Sequence, residues 1–230
     1  MKNYQHIKHI FFDLDHTLWD FDKNSEQAFA TIFNTDFPEI DLGSFIKVYA
    51  PINQALWKLY QKDLISSEQL RYQRLKQSFA AIDCVVSDDQ IEYLAQQYIA
   101  LLPENNYLFD GTVQVLDYLQ SKYKLHIITN GFADVQNKKL HNSGIYKYFT
   151  TITNSESAGA KKPNPIIYDH ALTIAQASSN ESIMIGDCLD ADIAGALQFG
   201  IDAIWVNYQK TSNNNNIVQI NHLAQLLNHF

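Results

Sequence analysis

Two hydrophobic rhythms divide the chain. Short, largely apolar runs at 7–12, 125–128, 150–153, 182–185 and 203–206 are too brief for helices and rich in Ile, Phe and Thr, so they predict strands. Between them, apolar residues recur at the spacing of one helical face over 112–122, 133–143, 166–176 and 190–199. Gly144 suits the position just past the second of these helices, and Pro165 suits the first turn of the third. A further helical stretch, 221–228, follows the last strand.

The segment before this alternation is different. Helical spacing fills 25–34, 44–62, 66–82 and 87–102, and no strand pattern interrupts it. Ser66 with Gln69, and Ser87 with Gln90, have the spacing of capping boxes. Pro38 and Pro51 predict breaks or first-turn positions. Apolar strands alternating with helices imply a parallel sheet covered on both faces. The chain therefore reads as an α/β core over 1–18 and 105–230, carrying an α-helical insert over 19–104. The run 103–106 reads as the exit from that insert, and the polar tract Asn213–Asn216 as a mobile loop.

Composition changes the picture only by exclusion. With 230 residues, 46% of them hydrophobic and 18% charged, the chain has material for a sizeable core. A net charge of −8 argues against a duplex nucleic-acid binder, which needs a basic footprint. No run approaches the roughly 20 apolar residues of a membrane span. Asp13 comes too early for the apolar region of a signal peptide. Cys84 and Cys188 lie far apart without metal-binding spacing, so neither a disulfide framework nor a zinc site is indicated. A cytoplasmic protein with a small-molecule partner is the expectation.

The candidate chemistry sits where the strands end. The first run closes on Asp13-Leu14-Asp15, the second on Thr129-Asn130-Gly131, and the fourth on Gly186-Asp187. Ligands of open α/β sheets bind outside the carboxyl ends of the strands. In an extended chain Asp13 and Asp15 project to the same side. An ionised Asp can attack without a base, and a neighbour whose pKa is raised by like charge can hold a proton. Thr129 brings a hydroxyl, the Asn130 and Gly131 amides can donate to an anion, and Gly131 permits a tight turn. Lys161 and Lys162 precede a rigid Pro163-Asn164-Pro165 turn, and Asp190 and Asp192 follow Asp187 into a helix start, where Asp190 suits the first turn. If Asp13, Asp15, Asp187 and Asp192 converge, they need a compensating cation, and a hard oxygen-rich site suits Mg²⁺. Phosphoryl transfer through an aspartyl-phosphate is the chemistry that uses this set.

In this order the motifs resemble the haloacid dehalogenase superfamily of aspartate-nucleophile phosphohydrolases, over essentially the whole chain. The resemblance implies a Rossmann-like core with a helical cap inserted between the first two motifs. It implies Asp13 as nucleophile, Asp15 as general acid–base, and Thr129 with the Asn130 amide, beside Gly131, as the phosphoryl-binding pair. Lys162, directly before a proline, matches the motif lysine better than Lys161. Asp13, the Asp15 carbonyl, Asp187 and Asp192 would hold Mg²⁺. True dehalogenases of the superfamily lack the second aspartate, so Asp15 favours phosphate chemistry.

The run from Asp15 to Phe21, the Thr129–Phe132 turn and the Trp205-Val206-Asn207 segment look like the pyrimidine 5′-nucleotidase branch, which acts on nucleoside monophosphates. His16 stands where most relatives carry Gly, phosphoglycolate phosphatases among them; it reads as a substrate contact or a polar turn residue. Trp19 and Phe21 are candidates for stacking on a base, with packing as their alternative role. Alternatives are a phosphoglycolate or sugar-phosphate phosphatase, a phosphomutase, and a non-catalytic receiver-like domain. The last is disfavoured by Asp15 and by the long insert.

Overall fold

Each of the five apolar runs forms a strand: β1 His9–Phe12, β2 Lys124–Thr129, β3 Phe149–Asn154, β4 Ser182–Gly186 and β5 Asp202–Val206. This is a computed structural model, and it describes residues 4–212 and 217–230; the expected loop Asn213–Asn216 lies outside them. A sixth strand, β6 Gln219–Ile220, was not expected. It is two residues long and half exposed, too short for any hydrophobic rhythm, and it forms by pairing with Trp205 and Val206.

The strands lie in the order β3-β2-β1-β4-β5-β6, and every neighbouring pair is parallel. The order reverses direction between β1 and β4, and a ligand crevice opens at such a switch point. Both of these strands are buried along their whole length.

The chain divides into two compact units, Met1–Phe21 with Asn106–Phe230, and Asp22–Asn105. The first is a Rossmann-like α/β unit. Its helices are α5 Thr112–Gln120, α6 Ala133–Asn142, α7 Ser155–Ala158, α8 Pro165–Ala175 and α9 Gly195–Phe199. On one side of the sheet Phe11, Ile128, Met184 and Ala203 pack with Ile167, Tyr168 and Ala171 of α8 and with Ile193 and Ala196. Pro165 occupies the first turn of α8, and Gly144 follows α6 with φ +72°. The helix expected over 190–199 begins instead as a wide π-helical turn, Leu189–Ala194, and tightens only at α9. The closing stretch is a narrow 3₁₀ helix, Leu223–Asn228.

A polar line crosses three strands near the amino end of the sheet. The ring nitrogens His9 Nδ1 and His126 Nε2 share a hydrogen bond of 3.1 Å, and His126 Nδ1 meets Thr151 Oγ1 at 2.8 Å. His126 is fully buried, with Phe11 stacked on it.

The second unit is all helical: α1 begins at the junction, Phe21–Asp36, followed by α2 Leu42–Gln61, α3 Ser67–Ala81 and α4 Asp88–Leu101. Both capping boxes form, at Ser66 and Ser87. Pro51 does not break the chain; it sits inside α2, where the flanking turns and the buried face of Phe45, Tyr49, Asn53 and Leu56 carry the helix through. Aromatic rings make the core: Phe29 stacks on Tyr98 at 4.4 Å and meets Phe45 edge-on at 5.0 Å.

Candidate active site

β1 ends at Phe12, and the next residue, Asp13, anchors its backbone N–H to Ile185 O of β4 at 2.9 Å. This places the Asp13 carboxylate at the switch point. Lys162, from the loop before α8, reaches it there: its Nζ donates to Asp13 Oδ1, Asp192 Oδ1 and Ile128 O, each at 2.6 Å. Those three bonds use every proton of the ammonium. Lys162 is 2% exposed, a position a lysine occupies only when paired. Lys161, its neighbour, is half-buried.

Asn130 explains how a lysine so distant in sequence is held in place. Its side chain accepts from Lys162 N at 2.7 Å and donates to Lys162 O at 3.0 Å, pairing with the backbone as a neighbouring strand would. Sequence reasoning had assigned Asn130 only its backbone amide.

Asp187, after β4, accepts from Thr17 Oγ1 at 3.3 Å, and its carbonyl accepts from Trp205 Nε1 at 2.7 Å. Asp192, in the π-helical turn, is buried and accepts from Cys188 N through Oδ2 at 2.9 Å. Asp190 lies exposed at the start of that turn, outside the acidic cluster. One carboxylate oxygen from each of Asp13, Asp187 and Asp192 lies within 4.8 Å of the others. Burial, with the charges of Asp192 and Asp187, holds the Asp13 carboxyl well above its ordinary pKa despite Lys162. Burial and the Asp192 charge push Asp187 up to about 8. Burial alone would lower Lys162, but Asp13 and Asp192 hold it above its usual value. Ionised together, the three carboxylates would leave an excess of negative charge over the one ammonium. An all-oxygen donor set with that excess fits a hard divalent cation.

The fourth expected carboxylate does not join this group. The chain past Phe12 is no longer a strand, and the turn through Thr17 sends Asp15 to a different partner set. Asp15 Oδ1 receives Lys139 Nζ at 2.6 Å and Oδ2 receives Gln136 Nε2 at 2.9 Å. Neither residue was anticipated. Their one signal was spacing, two polar residues three apart on the helix that opens just past the Thr129 turn.

Thr129 is buried and its hydroxyl oxygen accepts from Gly131 N at 3.1 Å and from Gln136 Nε2 at 2.7 Å. The Gly131 amide, expected to face an anion, is therefore already engaged.

His16 has φ 60°, the left-handed conformation that glycine adopts without strain. Its ring tilts over Phe21 at 5.0 Å. Trp19 is fully buried with the Lys139 ammonium 4.2 Å from its ring centre, and Phe21 is 7% exposed. Both rings are packed, which removes Trp19 as an open stacking platform.

Comparison with known proteins agrees with this geometry. The family model for haloacid dehalogenase-like hydrolases matches residues 7–200. The chain is 34% identical over 202 residues to pyrimidine 5′-nucleotidase PynA of Streptococcus pneumoniae, covering 87% of this chain and 84% of that protein. It is 30% identical to pyrimidine 5′-nucleotidase YjjG of Escherichia coli over 200 residues, covering 86% and 85%. Among solved structures, the HAD-hydrolase YfnB of Bacillus subtilis, bound to magnesium, superposes with a TM-score of 0.87 at 28% identity, covering 99% of this chain and 98% of that one. Among the described residues, no helix is long and apolar enough to cross a membrane. The chain belongs to the haloacid dehalogenase-like hydrolase family, and within it stands with the phosphohydrolases.

Proposed function

We propose that this chain is a Mg²⁺-dependent phosphomonoesterase that forms an aspartyl-phosphate on Asp13 and takes nucleoside monophosphates, pyrimidine nucleotides first among them. The observation that carries the phosphoester reading is Asp15: a second carboxylate, two residues past the nucleophile, fixed by two donors and held apart from the acidic cluster. Only a reaction with a leaving group to protonate and a water to activate needs it.

In the first step an Asp13 oxygen bonds to phosphorus, the bond to the ester oxygen breaks, and Asp15 gives the departing alcohol its proton. In the second, water attacks the same phosphorus, yields a proton to Asp15, and releases Asp13 and inorganic phosphate. Lys162 holds one Asp13 oxygen, and the Thr129 hydroxyl with the Asn130 amide receives the phosphoryl oxygens. Asp13, Asp187, Asp192 and the Asp15 carbonyl would hold Mg²⁺, which when bound neutralises charge shared between carboxylates and phosphate. In this reading the helical unit is the cap that selects the group esterified to the phosphate. Support for pyrimidine nucleotides comes from the names of PynA and YjjG.

The test is Mg²⁺-supported phosphate release from CMP, UMP, dTMP, AMP, phosphoglycolate and sugar phosphates, with Asp13→Asn as control. Turnover of pyrimidine monophosphates ahead of the rest, lost by at least about 10⁴-fold in the variant, is expected. Preference for a non-nucleotide overturns the substrate class. Wild-type rates in Asp13→Asn overturn the mechanism.

A further inference from the structure

Gln136 and Lys139 occupy one face of α6, three residues apart, and both are buried, at 1% and 2% exposure. Each takes a different oxygen of the same carboxylate, Gln136 Nε2 on Oδ2 and Lys139 Nζ on Oδ1 of Asp15. A carboxylate held at one oxygen can still rotate about that bond; held at both by different residues, its plane is fixed. The lysine is itself confined, since its ammonium sits 4.2 Å from the Trp19 ring centre and 5.4 Å from that of Phe21, where the faces of the rings attract a cation.

Gln136 does a second thing with the same amide nitrogen. It donates to Thr129 Oγ1, which also accepts from Gly131 N. With two donors on its oxygen, the threonine hydroxyl keeps its own hydrogen for an outside acceptor. Gly131 provides the space: a Cβ there would meet Gln136 Nε2 at 2.4 Å and Cδ at 2.5 Å.

We propose that Gln136 and Lys139 are positioning residues, a two-point clamp that orients Asp15 for proton transfer and, through the shared Gln136 amide, sets the Thr129 hydroxyl toward the phosphoryl group. The inference rests on the reading of Asp15 as acid–base. Both residues are buried and spend their donors on Asp15 and Thr129, so the clamp acts on turnover rather than on binding. A displacement of about 1 Å at a reacting group can cost on the order of 10²-fold in rate.

The experiment is steady-state phosphate release from CMP by Lys139→Met, Lys139→Arg, Gln136→Leu and Asp15→Asn, and by the double variant Asp15→Asn/Lys139→Met, each checked for folding by circular dichroism. Lys139→Met and Gln136→Leu are expected to lose about 10- to 100-fold in kcat with KM within about 3-fold, and Lys139→Arg to recover most of the loss. In the Asp15→Asn background, Lys139→Met should cost less than about 3-fold more, because the group it acts through is gone. Wild-type kcat in Lys139→Met beside a slow Asp15→Asn overturns the clamp alone, as do losses that multiply in the double variant. Wild-type turnover by Asp15→Asn overturns the acid–base reading and the clamp with it. The double variant removes both members of the Asp15–Lys139 ion pair, so it reports even if Lys139→Met alone misfolds.

Discussion

Gly186 has no room for a methyl group. A Cβ there would lie 2.4 Å from Asp192 Cγ and Oδ2, and Asp192 is tied on one side to Lys162 and on the other to Cys188 N. The buried acid cannot move without breaking one of those bonds. Gly186→Ala should therefore lower stability by about 1–3 kcal/mol, as overpacking does, and reduce phosphate release by more than about 10-fold. A thermal melt and a phosphate assay check both halves; an unchanged melt would show that Asp192 yields freely. Gly186 and Gly131 are not among the glycines with positive φ. Their glycine is required by one neighbouring side chain each, Asp192 and Gln136. That is why the sequence identified Gly131 as special but for a different reason, a turn. Asp13, Lys162 and Asp187 were legible because each sits at a strand end or beside a proline, and Asp192 because it follows Asp187 in a run of acids into a helix start. Lys139 was not, since Lys138-Lys139 on a helix looks like any solvated pair until the fold buries one of them.

Strands and helices were legible wherever a hydrophobic rhythm ran long enough to show its period. The capping boxes at Ser66 and Ser87 were also written locally, in the serine and the glutamine three residues on. What escaped was decided by pairing or packing: β6, with two residues, and the π-helical turn that carries Asp192. Pro51 misled because a proline penalises a helix interior without forbidding it. It lies exposed in α2, where it lacks the N–H that would bond to Lys47 O. Proline costs roughly 3 kcal/mol against alanine inside a helix, offset by up to about 1 kcal/mol from its stiffening of the unfolded chain. Pro51→Ala should accordingly stabilise by about 2 kcal/mol, read as a shift of the denaturation midpoint to higher urea. A lower midpoint would mean that the packing of α2 depends on the proline ring.

Across the whole molecule, the sheet order β3-β2-β1-β4-β5-β6 brings residues as far apart as Asp13 and Asp192 to the carboxyl end of its central strands, while His9 and His126 lie toward the amino end. Burial, then the charges of His9 and Lys124, lower His126 from 6.5 to about 3. The unfolded chain thus binds a proton below pH 6.5 that the folded chain refuses. Stability from this source is complete above pH 6.5 and falls as pH drops toward 3, with a limiting slope of about 1.4 kcal/mol per pH unit. His126→Gln should flatten the acid limb of the urea midpoint between pH 6.5 and 4; an unchanged limb would assign it to carboxylates instead. The join between the two units has a consequence of another kind. Leu18–Asp20 and Tyr107–Phe109 lie side by side, bonded Asp20 N to Tyr107 O at 3.1 Å and Phe109 N to Leu18 O at 3.0 Å, so both ends of Asp22–Asn105 are tied by the α/β unit itself. To that unit the insert is one long loop whose ends are already closed, and closure entropy grows only with the logarithm of loop length. The insert can therefore be lengthened, shortened or replaced at little cost to the sheet, while Asp13, Lys162, Asp187 and Asp192 stay where they are.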